Sequence, residues 1–208
     1  MEIASLPIPS PGAATELAVG NGAEDLLLRA RPLFPKVDYL TSGTEQTRRV
    51  SWEPGKPLLL VLWDPQCEVC QNEMRQLRKL RGLNCLALAP LGPVKERRLP
   101  SELARKQGFL DPDIDESKGY HKVGFIEDEL LDELHTLHRH LFEKPFLLKT
   151  PCSFLVDRDG RLAAVYRGQL DLKTVIQHFI KLKRKGKDLI KETLPLGGNY
   201  VGDPPSLL

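Results

Sequence analysis

Apolar residues in the first half of the chain form a continuous run, a helical repeat and a second run. The run at residues 56–63 follows a Pro-Gly break and predicts a strand that is buried on both faces. Residues 68–81 carry apolar side chains at helical spacing and predict a helix that ends at Gly82. Residues 84–89 predict a second short strand. Together these segments predict a β-α-β unit, whose parallel strands are joined by a right-handed crossover.

The next part of the chain has mainly a helical pattern. Residues 101–107 predict a short helix, and residues 127–142 predict a long amphipathic helix. Acidic residues in the first turn of the long helix and basic residues in its last turn interact favourably with the helix dipole. Its apolar stripe consists of Leu130, Leu134, Leu137 and Leu141. We therefore expect a helical insertion at about residues 100–149.

Two hairpins and a final helix complete the pattern. Residues 33–40 and 46–52 predict a hairpin that precedes the first buried strand. Residues 153–157 and 162–167 flank an Asp-Gly turn and predict a second hairpin. Residues 171–183 predict an amphipathic helix. The expected fold class is therefore α/β, with a central mixed sheet flanked by helices.

The two ends of the chain differ in composition from its middle. Residues 1–25 are rich in Pro, Gly, Ala and Ser, and residues 191–208 are rich in Pro and Gly. Both segments are predicted to be linkers or flexible arms. The folded domain is expected over residues 26–190. The first residues lack the basic and apolar regions of a signal peptide, so none is predicted in this chain.

Composition and charge exclude several classes of function. Hydrophobic residues make up 41% of the chain and charged residues 28%, as is usual in soluble globular proteins. A net charge of +2 is too small to indicate a nucleic-acid partner. No apolar run approaches the ~20 residues that cross a bilayer, so no membrane insertion is expected.

The cysteines point to a candidate site. Four cysteines are too few for a disulfide scaffold, but Cys67 and Cys70 form a Cys-x-x-Cys motif where the predicted strand turns into the helix. A thiol at a helix N-terminus faces unpaired N–H groups and the positive end of the helix dipole, which favour the thiolate. The second thiol lies on the same helical face. Cys67 is therefore predicted to attack a disulfide and Cys70 to resolve the mixed disulfide.

The sequence resembles the TlpA-like branch of the thioredoxin superfamily, which includes the redoxins, over roughly residues 30–183. The resemblance is carried by three segments: Trp63 to Cys70, the continuation Cys-x-x-Glu-Met at residues 70–74, and Thr150-Pro151 before Ser-Phe-Leu-Val-Asp at residues 153–157. It implies a thioredoxin-like fold, with the helical insertion placed before the strand that follows a cis proline.

The resemblance also implies roles for single residues. Pro151 is expected to be cis and to pack beside the cysteines, and Trp63 and Thr150 are expected to contribute with it to substrate binding. The glutamate that follows the motif in this family corresponds to Glu73, which is expected to tune the thiols and assist proton transfer. Thioredoxin proper has a buried aspartate six residues before its first cysteine, where this chain has Val61. Glu73 is therefore the candidate proton acceptor, or else a solvated helix residue.

The function that the resemblance implies is a thiol–disulfide oxidoreductase without a cofactor. It would reduce disulfides of a partner protein and would be regenerated by an upstream thiol reductant. The resemblance favours an extracytoplasmic, periplasmic location. The alternative is a non-catalytic or redox-sensing interaction module. The linker-like ends suit a module attached to other domains of a longer chain.

Other interpretations of the cysteines remain open. Cys152, next to the predicted cis proline, is either a third redox thiol or a small core residue, because free cysteine packs as a small hydrophobe. Cys85 lies in an apolar strand and is expected in the core. No metal is expected, because a metal site needs about four ligands and no histidine has an obvious place beside the cysteines. A thiol peroxidase is disfavoured, because that family has Thr or Ser where this chain has Asp64.

Overall fold

The computed structural model of the chain describes residues 18–19, 24–28, 31–41, 49–52, 54–80, 82–91, 99–110, 121–142 and 148–182. The predicted tail at 191–208 and most of the predicted arm at 1–25 lie outside these residues.

Strands and helices follow one another along the described residues. The strands are β1 (Ala18–Val19), β2 (Glu24–Leu27), β3 (Asp38–Thr41), β4 (Arg49–Ser51), β5 (Leu58–Leu62), β6 (Asn84–Pro90), β7 (His121–Ile126), β8 (Lys149–Thr150), β9 (Cys152–Val156) and β10 (Leu162–Arg167). The helices are α1 (Glu68–Leu77), α2 (Leu99–Lys106), α3 (Asp128–Phe142) and α4 (Leu172–Lys181). None of the described helices has the length and apolar character that crossing a membrane requires.

Eight of these strands form one mixed sheet, in the order β2-β10-β9-β5-β6-β7-β3-β4. β6 is parallel to both β5 and β7, and the other neighbours are antiparallel. β1 and β8 form a separate parallel pair. The pairings β5–β6, β3–β4 and β9–β10 confirm the predicted β-α-β unit and both predicted hairpins.

The sheet is covered by helices on both faces, which explains the continuous apolar run of its central strand. Leu59 and Val61 of β5 pack in a core cluster with α1, α2 and α4. Leu58, Leu60 and Leu62 point the other way, into a cluster with α3. Successive side chains of a strand point to opposite faces, so a strand between two helical layers must be apolar at every position. The predicted α/β class, with a mixed sheet flanked by helices, is confirmed.

The segment predicted as a helical insertion contains a strand as well as two helices, and this corrects the prediction for residues 100–149. β7 lies between β6 and β3 in the sheet. Its sequence, His-Lys-Val-Gly-Phe-Ile, begins with two polar residues and has a central glycine, which is depleted in strands. Pairing on both sides stabilises the strand, and that pairing is a tertiary interaction that the local pattern does not contain.

Gly124 in β7 allows a close approach of β3. A Cβ atom added at Gly124 would lie 2.5 Å from Cδ2 of Tyr39 and 2.6 Å from the carbonyl oxygen of Leu40. That carbonyl belongs to a paired strand and cannot move away without disturbing the sheet. We expect Gly124→Ala to lower the free energy of unfolding by about 1–3 kcal/mol, as overpacking of a core does. Urea unfolding measures the change, and a variant as stable as the parent would contradict it.

The sheet begins earlier in the sequence than the expected start of the domain at residue 26. β2 starts at Glu24 and pairs with the end of β10, and β1 pairs with β8 immediately before Pro151. Both are short strands joined to the rest of the fold by main-chain hydrogen bonds. Such bonds do not require a particular side-chain pattern. The two strands could therefore not be predicted from the Pro- and Gly-rich sequence around them.

Candidate functional site

The site is built where β5 ends and α1 begins. The loop between them is held by Asp64, whose side-chain oxygen accepts a hydrogen bond from the N–H of Gln66 at 2.8 Å. The carbonyl of Asp64 accepts from the N–H of Cys67 at 3.0 Å. This turn brings Cys67 to the N-cap position of α1, as the strand–helix pattern predicts.

Cys67 and Cys70 lie on the first turn of the helix. Cys67 has extended backbone angles, and its sulfur accepts a hydrogen bond from the N–H of Cys70 at 3.2 Å. Both thiols are free. Cys67 is 7% exposed and Cys70 is 1% exposed, so the first sulfur is the more accessible. A helix N-terminal N–H that points at a sulfur stabilises negative charge on it.

The second thiol lies in an environment that opposes its ionisation. Burial raises the pKa of the Cys70 thiol well above its ordinary value, because a thiolate loses its hydration there. Electrostatic interaction with Cys67 and Glu73 raises this pKa further. Cys70 therefore holds its proton at neutral pH unless a nearby group accepts it.

Glu73 follows one helical turn after Cys70 and is 1% exposed. One carboxyl oxygen, Oε2, accepts a hydrogen bond from the N–H of Leu170 at 3.3 Å, and Oε1 accepts from the hydroxyl of Ser153 at 3.5 Å. Burial raises the pKa of Glu73 to about 8, although the two hydrogen bonds act in the opposite direction. Glu73 is therefore a buried carboxyl that titrates near neutral pH, and the alternative of a solvated helix residue is excluded.

The third part of the site is the segment before β9. The Thr150–Pro151 peptide bond is cis, as the resemblance implies. The carbonyl of Pro151 accepts a hydrogen bond from the N–H of Gly168, in the loop between β10 and α4, at 2.9 Å. Leu62 pairs with Cys152, so Pro151 lies beside the end of β5, from which the loop to Cys67 departs.

The side chains of Trp63 and Thr150 are completely buried. Among the described residues, neither Nε1 of Trp63 nor Oγ1 of Thr150 has a hydrogen-bond partner. Trp63 packs in the same core cluster as Cys67 and Cys70. The two residues expected to bind substrate therefore lie at the site, but below its surface.

Cys152 is separated from the Cys-x-x-Cys pair by the sheet. It packs in the cluster on the α3 side, whereas Cys67 and Cys70 pack in the cluster on the opposite face. Burial raises the pKa of Cys152 to about 12. Cys85 is also buried, in the cluster beneath α1. This packing favours the interpretation of Cys152 as a small core residue over its interpretation as a third redox thiol.

Four residues of the site were not found from the sequence. Ser153 and Leu170 hold Glu73, and Gln71 holds the loop by donating from Nε2 to the carbonyl of Pro65 at 2.8 Å. Gln107, which follows α2, donates to the side-chain oxygen of Gln71 at 3.3 Å. Only Ser153 had a sequence signal, because a hydroxyl in an otherwise apolar strand needs a buried partner.

No group of three or more His, Cys, Asp or Glu side chains in the described parts of the chain is arranged to hold a metal ion. The described residues bring together two thiols, one buried carboxyl and the cis-proline segment. The chemistry of this arrangement can be thiol exchange with proton transfer.

Comparisons with known proteins bear on the fold. The chain matches no protein-family model and no curated protein. It does match solved structures, among them the thioredoxin domain of a thiol–disulfide oxidoreductase from Bacteroides vulgatus, with 17% identity, a TM-score of 0.51, and coverage of 74% of this chain and 99% of that one.

Two further matches come from other bacteria. A secreted thiol–disulfide isomerase from Corynebacterium glutamicum has 12% identity and a TM-score of 0.54, over 86% of this chain and 97% of that one. A DsbF homologue from Corynebacterium diphtheriae has 13% identity and a TM-score of 0.51, over 85% and 99% of the two chains. The match extends over nearly the whole of each of these proteins, and it shows that this chain has the fold of the thioredoxin superfamily.

Proposed function

We propose that this protein is a thiol–disulfide oxidoreductase that reduces disulfides of a partner protein through Cys67 and Cys70. The observation that carries the proposal is the position of Cys67 at the N-cap of α1, where the N–H of Cys70 donates to its sulfur at 3.2 Å. This contact places a helix N-terminal N–H donor at the sulfur of the more exposed cysteine, the one that would attack.

The proposed reaction has two exchange steps. The Cys67 thiolate attacks one sulfur of the partner disulfide, forms a mixed disulfide and releases the other partner sulfur as a thiolate. Cys70 then loses its proton and attacks the sulfur of Cys67, which releases the second partner sulfur. The partner gains two electrons and two protons, and the protein is left with a Cys67–Cys70 disulfide. An upstream thiol reductant returns this disulfide to the dithiol.

Glu73 is the proposed proton acceptor in the second step. It is buried, it interacts electrostatically with Cys70, and its pKa of about 8 lies near the working range of a general base at neutral pH. Pro151, beside the cysteine loop, and the buried Trp63 and Thr150 would support the partner site from below its surface. No step of this cycle needs a cofactor.

More specifically, we propose that the protein is a TlpA-like redoxin that works outside the cytoplasm. This assignment is supported by the sequence resemblance and by the similarity in fold to a protein described as secreted. We also propose that residues 26–190, together with the short strands that precede them, form one domain. The segments 1–17 and 191–208 would then link it to other domains of a longer chain.

Reduction of insulin by the purified protein tests the proposal. In the presence of dithiothreitol we expect the parent to accelerate insulin precipitation, and we expect the Cys67→Ser/Cys70→Ser double variant to match the rate of dithiothreitol alone. The control is Cys85→Ala, which removes a buried thiol in β6 that the mechanism does not use. A parent protein no faster than dithiothreitol would reject the proposal.

The second candidate is a non-catalytic or redox-sensing interaction module. The low exposure of Cys67 favours it, because a buried sulfur is less available to a protein disulfide. A redox sensor would form the Cys67–Cys70 disulfide and change its binding to a partner without turnover. Failure to reduce insulin, combined with a reversible Cys67–Cys70 disulfide, would support this alternative.

A further inference from the structure

The carboxyl group of Glu73 has a different kind of partner on each oxygen. The N–H of Leu170 meets Oε2, and the hydroxyl of Ser153 meets Oε1. Ser153 is 1% exposed and lies in the central part of the sheet, where β9 pairs with β5 and β10. A carboxyl buried this deeply has little contact with solvent, so its protein partners must satisfy it when its charge changes.

The two partners differ in what they can do when Glu73 takes up a proton. A backbone N–H is only a donor, whereas a serine hydroxyl can rotate and both donate and accept. The carboxylate accepts from both groups. The neutral acid carries an O–H that must itself donate, because a buried polar group without a partner is costly. Of the two groups that contact the carboxyl, only Ser153 can accept that bond.

We propose that Ser153 is the positioning residue that keeps Glu73 hydrogen-bonded in both of its protonation states while it receives the proton of Cys70. This inference rests on the proposed function for the origin of the proton. Before the transfer, the hydroxyl of Ser153 donates to the Glu73 carboxylate. After the transfer the proton resides on Oε1, and the hydroxyl rotates to accept from it.

The proton balance of the step is simple. The S–H bond of Cys70 breaks, an O–H bond forms at Glu73, and the electron pair remains on the Cys70 sulfur as a thiolate. That thiolate attacks Cys67 and displaces the partner sulfur as a thiolate. The partner thiolate takes up the proton that Glu73 received, and Glu73 returns to the carboxylate.

Within the described parts of the chain, few other titratable groups influence Glu73. Cys70 on α1 and Cys152 on β9 interact with it electrostatically, and burial favours the protonated form of both thiols. The segment between β10 and α4 contributes the N–H of Leu170. None of the ion pairs among the described residues includes Glu73. Its protonation therefore depends mainly on burial and on these two hydrogen bonds.

The test is a titration of the Glu73 carboxyl by NMR, in full-length protein with ¹³C-labelled glutamate and with Glu73→Gln to assign the signal. We expect the midpoint of Ser153→Ala to move to higher pH by about one unit, because the bond that the hydroxyl donates to the charged carboxylate is stronger than the bond that it accepts from the neutral acid. We expect the rising limb of the pH–rate profile for the second exchange step to move by the same amount. Ser153→Thr keeps a hydroxyl and should titrate like the parent.

Ser101→Ala is the matched control. Ser101 is also buried, but its hydroxyl has no hydrogen-bond partner among the described residues, so the variant removes a buried hydroxyl without touching Glu73. Its carboxyl titration should equal that of the parent. An unchanged midpoint in Ser153→Ala, or an equal shift in Ser153→Thr or Ser101→Ala, would overturn the inference. The NMR midpoint does not depend on turnover, so loss of the proposed function would be seen separately, in the insulin assay.

Discussion

Cys70→Ser is expected to accumulate mixed disulfides with partner proteins, while Cys67→Ser is expected to form none and to lose insulin reduction down to the background rate. Cys67 is the more exposed thiol, and the N–H of residue 70 points at its sulfur. Cys70 is buried and its pKa is raised, so it is suited to the intramolecular step only. Without Cys70, the mixed disulfide has no resolving thiol and persists.

Mixed disulfides can be measured by non-reducing electrophoresis after quenching with acid, followed by mass spectrometry of the bridged peptide. Cys85→Ala is again the control, because its thiol is buried away from solvent in β6 and should not alter trapping. Equal trapping by Cys67→Ser and Cys70→Ser would show that the two roles are not distinct. A bridge through Cys152 would restore it as a third redox thiol.

Glu73→Gln is expected to slow the second exchange step by roughly tenfold or more near neutral pH, within the usual contribution of general acid–base catalysis. In the parent, the rate should rise with pH as Glu73 loses its proton and level off above about pH 8. In the variant, the step needs spontaneous ionisation of Cys70, whose pKa is raised by burial, so the rate should continue to climb. The difference between the two proteins should therefore shrink at alkaline pH.

The protonation of Glu73 can also be followed through the pH dependence of the free energy of unfolding. Its pKa is about 8 in the folded protein against an ordinary value of 4.5, so the folded state binds the proton more tightly than the unfolded state. Between these two values the contribution of Glu73 to the free energy of unfolding falls as pH rises. Glu73→Gln should remove this decline, and unfolding in urea at several pH values would reveal it.

Glu68→Gln is the matched control for both measurements. Glu68 lies on the same helix, beside Cys67, but its side chain is exposed. This variant removes one negative charge near the motif without touching the buried carboxyl. We expect the rate of the second step to change little. Stopped-flow exchange rates across pH distinguish the two variants, and a Glu73→Gln profile that matches the parent would reject the role in proton transfer.

The sequence by itself determined the features that depend on local pattern. The continuous apolar run of β5 and the amphipathic helix after it predicted the β-α-β unit, and the Asp-Gly turn predicted the hairpin of β9 and β10. The same local pattern placed Cys67 at a helix N-terminus. These features follow from spacing within a few residues, which fixes the direction of side chains and the ends of helices.

Only the tertiary structure decided how deeply the functional groups are buried and what contacts them. Leu170, which holds Glu73, lies 97 positions later in the chain, and Ser153 lies 80 positions later. Neither partner is indicated by the residues around Glu73. The face of the sheet on which Cys152 packs and the insertion of β7 between β6 and β3 also depend on distant pairing. Burial is a property of elements packed together, and here it converts an ordinary glutamate into a group that titrates near neutral pH.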